Sequence, residues 1–137
     1  MEKILVPVDG SESSDRALKR AIELAVALKA KLSFLYVANV NQLAVNSCLS
    51  AELLEAVNKA GEAVLSHAEE SVPEGVASER LLETGSPASA IIDVAEDSGA
   101  DLIVMGSRGL GLVKGVLLGS VSQYVVENAA CAVMVVK

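Results

Sequence analysis

Short apolar runs alternate with amphipathic segments along the whole of this 137-residue chain. The runs consist mainly of Val, Ile, Leu and Ala without a regular alternation of apolar and polar residues. Such continuous runs are typical of strands buried on both faces of a sheet. The pattern predicts five β-strands, at residues 3–8, 32–37, 76–84, 101–105 and 132–136.

The segments between these runs repeat apolar residues at the spacing of a helix. The first predicted helix begins among residues 11–15 and ends with Lys29 and Lys31, whose charges suit the negative end of the helix dipole. Serine at the start and proline or glycine at the end mark the other helices. These are predicted to begin at Ser50, Ser86 and Ser120, and to end before Pro73, at Gly99 and at Ala129.

Strands that alternate with helices indicate an α/β fold, with a mostly parallel sheet and helices on both faces. No composition shift marks a linker, so residues 1–137 are expected to form one domain. No conformation is predicted for the loop from Asn39 to Asn46. Because parallel sheets bind ligands beyond the carboxyl ends of their strands, where the strand order reverses, the candidate site comprises the segments after the first, second and fourth strands.

Charge and aromatic content exclude several classes of partner. The chain has 11 Lys and Arg against 18 Asp and Glu, a net charge of −7, so nucleic acids and anionic membranes would be repelled. Aromatic residues make up 2% of the sequence, too few for a base-stacking platform. The composition is compatible with a small anionic ligand in a local pocket.

The cysteines and the histidine indicate neither a metal site nor disulfides. Cys48 and Cys131 lie far apart, and His67 has no second His or Cys at ligand spacing, so structural zinc is not expected. The uncharged stretch 32–51 has the length of a membrane span, but several polar amides interrupt it. We therefore expect a soluble protein of the reducing cytoplasm.

The strongest chemical signal is the glycine-rich segment 106–120, between the fourth strand and the last helix. Glycines let backbone N–H groups approach phosphate oxygens, and a helix N-terminus adds a favourable dipole. Residues 102–126 contain no Asp or Glu but include Arg108 and Lys114. The segment is predicted to bind phosphate groups; the alternative is that its glycines only shape a long surface turn.

Neither of the common nucleotide-binding loops fits these glycines. Gly106 and Gly111 have the spacing of a P-loop, but Leu112 stands where that motif requires lysine. Lys114 stands where the dinucleotide fingerprint GxGxxG needs its third glycine, and that fingerprint normally follows the first strand.

The spacing resembles that of one known family. Gly106, two residues, Gly109, nine residues, then Gly119 and Ser120 match the ATP-binding signature of the universal stress proteins. The resemblance runs the whole length of the chain, with further matching segments at residues 7–11, 84–87, 119–122 and in the final strand.

The resemblance implies a five-stranded parallel sheet of order 3-2-1-4-5 that binds ATP, with Mg²⁺, across its strand ends. Asp9 would contact the adenine or ribose, with Pro7 and Val8 beside it, and Val37 would meet the adenine through its backbone. The remaining implied contacts are Met105 and Gly106 on the ribose side, Arg108 and Gly109 at the phosphates, and Gly119, Ser120, Val121 and Ser122 along the phosphate tail.

Each of these residues also has a structural interpretation. Asp9 is able to cap the first helix or its turn, and Arg108 is compatible with a solvated loop cation. Ser120 and Ser122 suit the N-terminus of the last helix with or without a ligand.

The sequence lacks the motifs of the enzyme classes that share this fold. The SGGxDS loop of nucleotide hydrolases and the HxGH pair of adenylyltransferases are absent, and no catalytic residue is assigned. A phospho-receiver domain is rejected because Asp9 stands without a second acidic residue. The sequence predicts an ATP-binding stress-response or signalling module without strong catalysis; the alternative is slow ATP hydrolysis or autophosphorylation on Ser120 or Ser122.

The last predicted strand is a candidate for contact with a second copy of the chain. In the family order Ala132–Val136 lies at the sheet edge and is nearly all apolar, and an exposed edge pairs with another chain unless it is covered. The resemblance therefore implies a two-fold homodimer whose last strands meet antiparallel.

Overall fold

The computed structural model describes residues 1–39, 51–108 and 118–137. Five strands and four helices lie in these ranges, and none of the helices there combines the length and apolarity needed to cross a membrane. The strands are β1 (Lys3–Pro7), β2 (Lys31–Ala38), β3 (Ser78–Thr84), β4 (Leu102–Gly106) and β5 (Ala132–Val136). The helices are α1 (Glu12–Leu28), α2 (Ala51–Glu70), α3 (Pro87–Ser98) and α4 (Ser120–Asn128). Residues 40–46 of the unpredicted loop lie outside these ranges.

The five strands form one parallel sheet of order β3-β2-β1-β4-β5. This confirms the predicted fold class and strand order. β1 is central: the chain adds β2 and β3 on one side of it, then returns to add β4 and β5 on the other. The strand order therefore reverses between β1 and β4.

Helices cover both faces of the sheet, because successive side chains of a strand point to opposite faces. Ile4 and Val6 of β1 pack with Ala17 of α1 and Leu65 of α2 on one face. Leu5, between them, packs with residues of α3 and α4 on the other face. The continuous apolar runs of the sequence are thus strands covered on both sides.

The ends of the helices follow the predicted signals in part. Ser11 is the N-cap of α1, and Gly99 ends α3 in the left-handed region at φ 67°. The prediction for the end of α1 holds for Lys29, which is the C-cap of the helix in the left-handed region at φ 55°. It is wrong for Lys31, which already belongs to β2, because the chain turns at once to pair β2 with β1.

α2 approaches the sheet most closely at Gly61. A Cβ built there would lie 2.6 Å from Cδ1 of Tyr36 and 3.0 Å from Cδ1 of Leu82. Both distances are shorter than van der Waals contact between carbon atoms, so the present position of the helix depends on glycine.

Asp101 fastens the N-terminal segment to the sheet. Its Oδ2 accepts the N–H of Glu2 at 2.8 Å and that of Lys3 at 3.0 Å. Its own N–H donates to the Lys3 carbonyl at 2.9 Å. The bonds from Glu2 and Lys3 stabilise the carboxylate and lower the pKa of Asp101 below its ordinary value of 3.8.

Gly61→Ala is expected to destabilise the protein although alanine is the better helix former. Moving the Tyr36 ring or the helix away from the new methyl group costs about 1–3 kcal/mol, against a propensity gain of about 1 kcal/mol. Urea unfolding measures the net change, and the neighbouring exposed Ala60→Gly variant calibrates helix propensity in α2. A rise in the unfolding free energy of Gly61→Ala would contradict the close approach.

Asp101→Asn is expected to remove part of the acid dependence of stability. Because folding lowers the pKa of Asp101, its stabilising effect is complete above the unfolded value and is lost as the pH falls through the folded value. The melting temperature of the variant should lie below that of the wild type at neutral pH and converge with it in acid, once the pH is below the folded pKa of Asp101. The exposed Glu74→Gln variant is the control, and a difference that stays constant over this range would refute the assignment.

Candidate functional site

The carboxyl ends of β1 and β4 diverge. The two strands pair at two positions, the last of which is Leu5–Ile103, although β1 continues to Pro7 and β4 to Gly106. Pro7 has no N–H with which to extend the ladder. The strand order reverses between these two strands, and sheets of this kind bind ligands at such a point, in the crevice outside the carboxyl ends of the strands.

The first turn of α1 lies across the two diverging ends. The Oγ of Ser14 accepts the N–H of Asp9, which follows β1, at 3.2 Å. The Oγ of Ser13 accepts the N–H of Arg108, which follows β4, also at 3.2 Å. Both serines are buried, at 4% and 5% exposure, so adjacent hydroxyls of one helical turn hold the two loops.

Asp9 is oriented by the turn before α1. Its Oδ1 accepts the N–H of Ser11 at 2.9 Å, and Ser11 in turn accepts the N–H of Ser14 at 3.1 Å. The structural interpretation of Asp9, as a residue that fixes this turn, is therefore realised. A carboxylate accepts hydrogen bonds through both oxygens. The half-buried side chain of Asp9 is therefore able to accept further hydrogen bonds besides the one from Ser11.

Gly106 is required by the packing of α1 against β4. A Cβ at this position would lie 2.7 Å from the carbonyl carbon of Ser13 and 2.8 Å from its oxygen, so a side chain would displace the helix. The neighbouring Met105 is 5% exposed and packs in the cluster beneath α3 and α4. The predicted contact of Met105 with a ribose would therefore have to use its backbone.

α4 begins beside the end of β4. Its N-cap is Gly119, whose N–H donates to the Ser107 carbonyl at 2.7 Å. The N–H groups of residues 120–122 occupy positions that no carbonyl within the helix can reach, and the helix dipole makes them partially positive. A Cβ on Gly119 would lie 3.5 Å from the Cα of Arg108, so this array of donors and the arginine backbone are neighbours.

Glycine at 119 is not demanded by the described structure around it. Its φ of −68° and ψ of 161° are open to any residue. An added Cβ would meet nothing in the described ranges closer than 3.5 Å, which is ordinary contact. Unlike Gly106, Gly119 is therefore not required by the packing of the described residues.

The two serines of α4 have different environments. Ser122 is 2% exposed, and its Oγ lies 2.9 Å from the carbonyl oxygen of Ser107 and 3.0 Å from that of Gly119. Its hydroxyl therefore donates to the turn that leads into α4. Ser120 is exposed at the first position of the helix.

The end of β2 contributes an open backbone edge. The Val8 N–H donates to the Leu35 carbonyl at 2.8 Å, so the backbone of Leu35 faces β1. Val37, two residues later, faces the same side and lies past the end of β1. Beyond it, the Oδ1 of Asn39 is buried without a hydrogen-bond partner among the described residues, and such an acceptor is costly unless something bound satisfies it.

The predicted site residues thus surround the crevice in unequal ways. Asp9 and Arg108 are joined through α1, whereas half-buried Pro7 and buried Val8 form the end of β1. Gly109 lies outside the described residues. The sequence analysis missed the roles of Ser13, Ser14 and Asn39; the cluster of serines at residues 11–14 was the signal for the first two.

Two shallow depressions lie away from the crevice. One of about 230 Å³ contains Cys131 at the start of β5, where burial raises the pKa of the thiol. The other, of about 340 Å³ at the end of β3, contains Glu83, Asp93 and Asp97. Within the described part of the chain, no group of three or more His, Cys, Asp or Glu side chains is arranged to hold a metal ion.

Comparison with known proteins extends over the whole chain. A family model described as the universal stress protein family matches residues 1–137. Universal stress protein YxiE of Bacillus subtilis is 36% identical over 145 residues, which cover 98% of this chain and 98% of YxiE.

Solved structures of the same kind superpose on the chain. A universal stress protein crystallised in complex with cAMP has a TM-score of 0.76 and 31% identity, covering 99% of this chain and 97% of its own. A universal stress protein family protein of Arabidopsis thaliana with AMP bound has a TM-score of 0.71 and 25% identity, covering 100% and 92%. The agreement of sequence, strand order and structure leads to one conclusion: this chain belongs to the universal stress protein family.

Proposed function

We propose that this protein binds ATP, with Mg²⁺, in the crevice between β1 and β4. It would act as a nucleotide-dependent stress-response or signalling module without strong catalysis. The observation that carries the proposal is the N-terminus of α4, where Gly119 is not required by the packing of the described residues and the N–H groups of residues 120–122 have no acceptor within the helix. The AMP and cAMP complexes of related proteins support a nucleotide ligand.

The phosphate tail would lie against the start of α4. Donors of a helix N-terminus suit phosphate oxygens because the geometry and the dipole both favour a negative group. The backbone of Arg108 lies beside these donors, and its side chain is the cation that would meet the phosphates, in a segment of the sequence that contains no Asp or Glu. Mg²⁺ would be held chiefly by the phosphate oxygens and water, as this ion prefers.

The base would lie at the end of β2. The backbone of Val37 faces the crevice past the end of β1, and the buried Oδ1 of Asn39 is able to accept a hydrogen bond. The exocyclic amine of adenine is such a donor. The carboxylate of Asp9 accepts the Ser11 N–H through Oδ1. Its other oxygen would then accept a hydrogen bond from the ribose or the base.

The catalytic alternative depends on a serine hydroxyl that could attack a phosphate. Ser122 is buried, and its one hydroxyl hydrogen has two backbone carbonyls within bonding distance, which disfavours it as an acceptor of a phosphoryl group. Ser120 is the exposed serine of the pair. Slow autophosphorylation, if it occurs, should therefore be abolished by Ser120→Ala.

Gly119→Asp tests the phosphate position. Aspartate is a favoured N-cap, so α4 should remain stable, but its carboxylate would repel the phosphates. The affinity for Mg²⁺-ATP, measured by calorimetry, is expected to fall at least about tenfold, or 1.4 kcal/mol. Gly119→Asn has the same shape and capping ability without the charge, and should lose less. An unchanged affinity in Gly119→Asp would contradict the proposal.

We also propose that residues 1–137 act as one cytoplasmic domain and pair as a homodimer through β5. β5 is an edge strand, and its free side would meet the same strand of a second copy in an antiparallel arrangement. The Ser107 N–H donates to the Val136 carbonyl at 2.8 Å, so Val136 and Met134 direct their backbone groups to β4. By alternation, Val133 and Val135 direct theirs outward.

Val135→Pro tests this edge. Proline removes an outward N–H without removing a bond to β4, and edge strands tolerate it. Light scattering at micromolar concentration should give a dimer mass for the wild type and a monomer mass for the variant. A monomeric wild type, or a variant that stays dimeric, would refute the proposed interface.

A further inference from the structure

We infer that Ser13 and Ser14 are positioning residues of the nucleotide site, each controlling a different end of the bound molecule. The inference rests on the proposed function. Ser14 holds the loop that carries Asp9, at the adenosine end, and Ser13 holds the loop that carries Arg108, at the phosphate end.

The sheet itself does not set the distance between these two loops. Pairing between β1 and β4 stops at Leu5–Ile103, so Asp9 and Arg108 lie four and five residues beyond the last paired position on their strands. Beyond that position the end of β1 stays paired with β2 and the end of β4 with β5, but β1 and β4 no longer pair with each other. A direct link between the two loops must therefore come from an element that contacts both.

The first turn of α1 supplies that element. Successive residues of a helix point about 100° apart, which lets Ser14 reach the β1 loop while Ser13 reaches the β4 loop. Each hydroxyl accepts a backbone N–H at 3.2 Å, and both side chains are nearly inaccessible to solvent. Water therefore has little access to either bond.

The turn is rigid enough to act in this way. Ala17, Ala21 and Ala25 anchor α1 on the sheet at 0% exposure, and Ser11 caps its first turn. Gly106 allows the backbone of Ser13 to lie directly against the end of β4. A change in either hydroxyl should consequently move its own loop rather than the whole helix.

The experiment compares ATP with AMP, which lacks the two outer phosphates. Ser13→Ala frees the Arg108 N–H and should lower the affinity for ATP roughly tenfold while leaving that for AMP within about twofold. Ser14→Ala frees the Asp9 N–H and should lower both affinities by a similar factor, roughly tenfold. Titration calorimetry with each nucleotide in the presence of Mg²⁺ gives the four dissociation constants.

Ser89→Ala is the matched control, because Ser89 is the third residue of α3, as Ser14 is of α1, and its hydroxyl donates to the carbonyl of the N-cap residue Ser86. Both nucleotides should bind this variant as they bind the wild type. Ser13→Cys and Ser14→Cys, which keep the size of the side chain but offer a weak acceptor, repeat the measurement if an alanine variant does not fold.

The ratio of the ATP affinity to the AMP affinity distinguishes a positioning role of each serine from a general effect on the stability of the protein. A merely structural role would change ATP and AMP binding by the same factor in both serine variants, and that result would overturn the inference, as would unchanged binding in both. A wild type that binds neither nucleotide would overturn the proposed function and the inference together. A wild type that binds both with no contrast between the variants would overturn the inference alone.

Discussion

The short pairing between β1 and β4 is the constraint on which the site depends. Both strands are five residues long, yet they share two paired positions. Backbone groups released by this divergence need other partners, because unpaired polar groups in a protein interior are costly. Hydroxyls of α1 satisfy two of them, at Asp9 and Arg108, and β5 satisfies the Ser107 N–H. The crevice is therefore lined by a backbone that neighbouring elements hold in place.

Such a site suits an anionic ligand in an acidic protein. The net charge of −7 repels large polyanions, but the N-terminus of α4 offers oriented N–H dipoles at short range, and the field of a helix end falls off within a turn. The proposed preference for a small phosphorylated molecule over a nucleic acid would follow from this combination of net negative charge and local donors.

Much of the fold could be predicted from the sequence because the signals are local. Continuous apolar runs gave the strands, and Ser11 and Gly99 marked helix ends correctly. The end of α1 was misjudged because pairing of Lys31 with β1, a tertiary contact, overrode the local charge pattern.

The details of the site were harder to predict because they depend on distant contacts. Ser13 and Arg108 are 95 residues apart in sequence, and no local pattern joins them. Gly106 and Gly119 look alike in the sequence, yet a side chain at 106 would collide with the Ser13 backbone, whereas a Cβ at 119 would make ordinary contacts with the described residues. The orphan acceptor of Asn39 likewise becomes visible only when the burial of its side chain is known.

The central claim is that backbone N–H groups at the start of α4 bind the phosphates of a nucleotide. Amide resonances of a ¹⁵N-labelled sample, followed during titration with Mg²⁺-ATP, test it most directly. We expect the largest shifts at residues 119–122 and Arg108, with smaller shifts at Asp9 and Val37. Shifts confined to other surfaces, such as the depression beside Glu83, or no shifts at saturating nucleotide, would contradict it.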